Sequence, residues 1–118
     1  MLPDVTFTCR EGLVPPPCPE SLSALAEECR APLNLALCQG RNTAVLPVYQ
    51  WPGSPWDPLR GAYTVLRAAV DFLYAHTELR HLEIQCAGRD CLRTYQFQWN
   101  MWFAETKGNN GSEFVTDL

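Results

Sequence analysis

The sequence predicts a small α/β domain, βαβαβ, with helices against a short sheet and a terminal aromatic segment that is either helix or strand. Three observations predict it. Two short apolar runs, Thr43–Tyr49 and His81–Cys86, flank a long amphipathic stretch, Pro58–Thr77. A β-branched, alternating run, Asp4–Cys9, precedes a segment of helical period that starts near Pro19. Strands alternating with helical patterns of this length build parallel βαβ units, right-handed by the usual rule, with sites at the carboxyl ends of the strands. The alternative is an α+β fold closed by a C-terminal hairpin.

At 118 residues the chain supports one hydrophobic core and not two. The domain is expected to span residues 1–107, with Gly108-Asn109-Asn110-Gly111-Ser112 opening a flexible tail over 108–118. Hydrophobic residues make up 47% and charged residues 19%, which argues against disorder and fibrous repeats. Net charge is −4 and no basic run occurs, so a nucleic-acid partner is not expected. Eight arginines stand against Lys107 alone, a bias that fits a GC-rich coding sequence of a bacterial type. No window is apolar enough to span a membrane, and Met1–Asp4 carries no secretory signature. The six cysteines, Cys9, Cys18, Cys29, Cys38, Cys86 and Cys91, are therefore read as reduced, mostly buried thiols of a cytoplasmic protein.

Each element has a local cause. Val5, Phe7 and Cys9 alternate with Thr6 and Thr8, which predicts a strand. Gly12 and Pro15-Pro16-Pro17 force an extended, rigid connection. Pro19 suits the first position of a helix, and Leu22, Leu25, Ala26, Cys29, Leu33, Ala36 and Leu37 form its apolar stripe. Pro32 either kinks this helix or divides it after Arg30, and Gly40 is its natural C′ residue. The helix from Pro58, with Asp57 as N-cap, carries two apolar stripes. One contains Leu59, Ala62, Leu66, Ala69 and Leu73; the other contains Val65, Ala68, Phe72 and Ala75. So wide an apolar surface must be covered on more than one side, and a homodimer is expected if no other element covers the second stripe. His76 at the helix end suits the C-terminal dipole. From Asp90 to Lys107 the alternation of Tyr95, Phe97, Trp99 and Met101 competes with the helical spacing of Cys91, Tyr95, Trp99 and Trp102.

No dinucleotide, P-loop, zinc-protease or hydrolase motif occurs. Cys86 and Cys91 are too widely spaced for a paired zinc ligand set, so no metal and no cofactor is expected. Cys86 and Arg93 miss the spacing of a cysteine-phosphatase loop, and His76 and His81 have no triad partners in sequence context. No catalytic residue is assigned. The loop Gln50–Pro58 is the better candidate. Its prolines lower the entropy of ordering, so Trp51 and Trp56 can be presented to a planar ligand or a protein partner. Tyr49, Trp51, Gly53, Ser54, Trp56 and Asp57 are the candidate site residues; the competing reading is that the tryptophans cap the core beneath the loop.

From Glu20 onward the chain also resembles the C-terminal half of a macro domain, the ADP-ribose-binding family. The residues that carry the resemblance are Cys29-Arg30, Leu46-Pro47-Val48-Tyr49, Pro58-Leu59 leading to Asp71-Phe72-Leu73, Leu82 to Cys86, and Tyr95. It implies a helix for the terminal segment and makes Gly53 and Ser54 equivalents of a phosphate-binding loop. The family's Thr-Gly turn is replaced here by Trp51-Pro52-Gly53, and its Asn- and Gly-rich loop has no counterpart. Hydrolysis of ADP-ribose is therefore not expected. The leading expectation is a non-enzymatic binding or adaptor protein that uses the Pro/Trp loop. The alternatives are a degenerate macro-like binder of a nucleotide or ADP-ribose, and a cysteine-dependent enzyme through Cys91 or Cys86.

Overall fold

In the computed structural model, which describes residues 4–103, the elements run β1 (Asp4–Arg10), α1 (Leu22–Cys38), β2 (Thr43–Val48), α2 (Pro58–Ala75), β3 (His81–Ala87) and α3 (Arg89–Trp102). The predicted α/β class holds, and the terminal aromatic segment is a helix. The expected tail over 108–118 lies outside the described residues.

The three strands form one parallel sheet in the order β1-β3-β2. Its rows are in register: Val5, Leu82 and Ala44; Phe7, Ile84 and Leu46; Cys9, Cys86 and Val48. These rows point to one face, and all but Cys9 are buried. The opposite face carries Thr6, Thr8, Glu83, Gln85, Val45 and Pro47, and among the described residues no helix covers it. There Thr8 Oγ1 donates to Glu83 Oε2 at 2.9 Å, and Thr6 Oγ1 lies 3.4 Å from Nε2 of half-buried His81. All three helices therefore sit on one side. The chain steps from β1 past β3 to β2 and then back to β3, in opposite directions across the sheet. With both connecting helices on the same face, the two crossovers have opposite hands, and one of them is the rare left-handed form.

α1 starts at Leu22, later than Pro19, because the Ser21 side chain accepts from the Ala24 N–H at 3.1 Å and caps the first turn. It continues through Pro32 without a break. Its end is a Schellman motif: the Gly40 N–H donates to Leu37 and the Arg41 N–H to Ala36, with Gly40 at φ 70°. Asp57 caps α2 as expected, accepting from the Leu59 N–H at 2.7 Å.

α2 lies between α1 and α3 and packs against both. Cys29 Sγ of α1 lies 4.0 Å from the Val65 carbonyl, and Val65, Ala68 and Phe72 are buried within the single chain. Three of the four residues of the second stripe of α2 are thus covered within the chain, with α1 packed against the helix, and Ala75 at its end stays exposed, so that stripe does not require a homodimer. On the other flank Gln98 donates to the Leu59 carbonyl at 2.7 Å. α3 buries Cys91, Leu92, Tyr95, Gln98 and Trp99, with Trp99 edge-on to Phe7 at 5.6 Å between ring centres. A strand here would have needed a free edge on β3. That strand is central and already paired on both sides.

Candidate binding site

The Pro/Trp loop leaves β2 at its carboxyl end and closes a tight turn at once. The Ser54 N–H donates to the Trp51 carbonyl at 3.1 Å, with Pro52 second and Gly53 third at φ 75°. Pro followed by a positive-φ glycine is the requirement of a type II turn. Gly53 therefore serves the turn, and the Ser54 hydroxyl is engaged locally, donating to the Trp56 carbonyl at 2.8 Å.

Both tryptophans are half-buried and packed against the core. Trp51 Nε1 donates to the Pro16 carbonyl at 2.7 Å, so the rigid triproline connection is tied to the loop. Trp51 meets Trp56 edge-on at 6.2 Å and Tyr49 at 5.9 Å with planes tilted by 50°. Trp56 rests over Gly61 of α2, where a Cβ would come within 2.8 Å of its Nε1. Gln50 Nε2 donates to Thr94 Oγ1 at 2.9 Å, fastening the loop to α3.

Trp51 lines three hollows. The first is a cavity of about 230 Å³ between α1, the end of β2 and α3, whose wall includes Leu25, Glu28, Cys29, Tyr49 and Tyr95. The second is a recess of about 20 Å³ beside Ser54, Trp56 and Gly61, room for little more than a water molecule. The third is an open cleft of about 520 Å³ at the carboxyl ends of the strands, bordered by Glu11, Gln50, Gly88 and Arg89. Asp57 stands apart, on a groove between α2 and α3 beside Leu59, Tyr63 and Trp102.

The cavity wall is largely apolar, and burial acts on two of its groups, Tyr95 and Cys29. Tyr95 is 3% exposed, and its hydroxyl makes no hydrogen bond among the described residues. Burial pushes its pKa well above the ordinary tyrosine value. Burial also raises the Cys29 thiol to about 11, against a smaller lowering by Arg30.

The other thiols are arranged for packing. None of the six cysteines forms a disulfide, but only Cys29, Cys86 and Cys91 are buried, fewer than expected. Cys91 falls in the first turn of α3, and its Sγ donates to the Val48 carbonyl at 3.6 Å. A hydrogen bond with Cys91 and burial push the Cys86 pKa up, the opposite of what a nucleophilic thiol needs. Among the described residues no group of three or more His, Cys, Asp or Glu side chains could hold a metal ion.

Of the six predicted residues, Tyr49 and Trp51 share the cavity, while Ser54 and Trp56 adjoin them in the small recess. Gly53 shapes the turn and Asp57 caps a helix. Sequence reasoning missed Pro16, Glu28, Cys29 and Tyr95, which add to the wall from the β1–α1 connection, α1 and α3. One signal was available for Tyr95: a tyrosine in a buried helical stripe brings a hydroxyl that needs a partner. No helix among the described residues is long and apolar enough to cross a membrane. Comparison of the chain with protein-family models, curated proteins and solved structures returns no match.

Proposed function

We propose that this chain is a non-enzymatic binding module that takes a small ligand, or one side chain of a protein partner, into the cavity beside Trp51. One observation carries the reading: Trp51, pinned by its hydrogen bond to Pro16, walls three neighbouring hollows at the carboxyl end of β2. A wall held in place before the ligand arrives lowers the ordering cost of binding. A largely apolar cavity with a few convergent polar groups is the usual form of a small-molecule site. Six cysteines that form no disulfide suit a reducing, cytoplasmic setting.

The test is a small-fragment screen read by amide chemical shifts. Perturbations should cluster at Leu25, Cys29, Val48 and Tyr95 and disappear in Leu25→Trp, which fills the cavity. Shifts scattered over other surfaces, or unchanged by the filling variant, would refute the site.

A second reading is a macro-like binder of a nucleotide or ADP-ribose in the open cleft. It is supported by the helix that follows β3, as the resemblance implies, and by Gly88 and Arg89 beside the loop. Tryptophan emission that stays constant on titration with ADP-ribose would remove it.

A further inference from the structure

We propose that the cavity beside Trp51 recognises a quaternary ammonium group carried on a small molecule; this rests on the binding reading above and names its ligand class. Three aromatic side chains, Tyr49, Trp51 and Tyr95, contribute to one wall. The rings of Tyr49 and Trp51 meet at 50°, so they form a corner and not a closed stack. Aromatic faces attract cations through their quadrupole, most strongly where water is excluded. The corner is built in advance. Trp51 is held at one side by Pro16 and at the other by its edge contact with Trp56.

Charge on the wall has one sign. Among the described residues Glu28 is the only charged one lining the cavity, and its carboxylate has no ion pair or hydrogen bond with any of them. The nearest basic side chain in sequence, Arg30, is already engaged by Glu27 at 2.8 Å. An anion would meet this carboxylate and a setting whose burial already keeps Tyr95 and Cys29 protonated.

The remaining wall selects among cations. A primary ammonium or guanidinium brings several N–H donors, each needing an acceptor. The Glu28 carboxylate and the tyrosine hydroxyls can meet some of them, but Leu25, Val48 and Val65 offer none from their side chains, so the remaining N–H groups would face apolar wall. A quaternary nitrogen has no N–H and presents only methyl groups, which these side chains accommodate. The unpartnered Tyr95 hydroxyl is then available to a polar group elsewhere on the ligand. The volume of about 230 Å³ accepts such a molecule whole, since a protein cavity of about 150 Å³ already holds benzene.

Choline and its uncharged carbon isostere, 3,3-dimethylbutanol, provide the test, with tryptophan emission as the readout. Choline should bind saturably and about tenfold or more tightly than the isostere, a ratio within the range of a desolvated cation–π contact. Glu28→Gln should weaken choline and leave the isostere unchanged. Glu28 is exposed, so this variant is expected to fold. Equal binding of choline and the isostere would overturn the charge assignment while leaving the cavity as a binding site. Binding of neither, nor of benzene, would overturn both. Tighter binding of an acetylated trimethyllysine amide than of choline would move the group onto a modified protein and overturn the small-molecule assignment.

Discussion

At Cys29 the thiol donates to the Ala26 carbonyl at 3.2 Å beneath α2, and burial raises its pKa from 9.0 to about 11. The folded chain therefore holds this proton more tightly than the unfolded chain. The contribution to stability is fully present below about pH 9 and is lost as pH rises through about 11. A two-unit shift corresponds to roughly 2–3 kcal/mol. Tyr95 and Cys86 are shifted in the same direction, so they add to the alkaline loss. The urea midpoint should fall steeply between pH 9 and 11, and less steeply in Cys29→Ala. A midpoint that does not move across that window would contradict the burial argument.

Between elements, the closest fit is Trp56 of the loop against Gly61 of α2. A Cβ at Gly61 would stand 2.8 Å from Nε1 and 3.0 Å from Cδ1 of Trp56. Gly61→Ala gains about 1 kcal/mol in helix propensity but forces the indole off its seat, an overpacking that costs about 1–3 kcal/mol. The expected result is a net loss near 1 kcal/mol in urea denaturation, with tryptophan emission shifted to the red as Trp56 meets water. A more stable variant with unshifted emission would show that the loop yields freely. The continuity of α1 through Pro32 belongs to this scale as well. An interior proline costs an isolated helix about 3 kcal/mol, and α1 absorbs it because α2 and β2 pack along its length.

At the scale of the molecule, the sheet buries one face under its helices and, among the described residues, leaves the other open, uncommon for parallel strands. Neighbouring residues on β2 should therefore respond in opposite ways. Val45 is 46% exposed on the open face and Leu46 is 1% exposed under the helices. Val45→Lys should change stability by less than about 0.5 kcal/mol, as surface substitutions do. Leu46→Lys places an unpaired charge in the core and should abolish cooperative thermal unfolding. Val45→Lys proving as damaging as Leu46→Lys would mean that the outer face is covered.

Periodicity alone determined the strands, the two long helices and their caps at Asp57 and Gly40, because these depend on contacts a few residues apart. It also placed the aromatic loop, since prolines and tryptophans act where they stand. The state of the segment after Gly88 was not legible. Its aromatics satisfy both a strand and a helix, and the choice was made by β3 being central, which left no edge for a hairpin. The cavity was illegible for the same reason. Glu28, Cys29 and Tyr95 lie far from Trp51 in sequence and meet it only because α1 and α3 pack on the same face of the sheet. Local chemistry put an aromatic loop at the end of a strand; tertiary packing gave it a pocket.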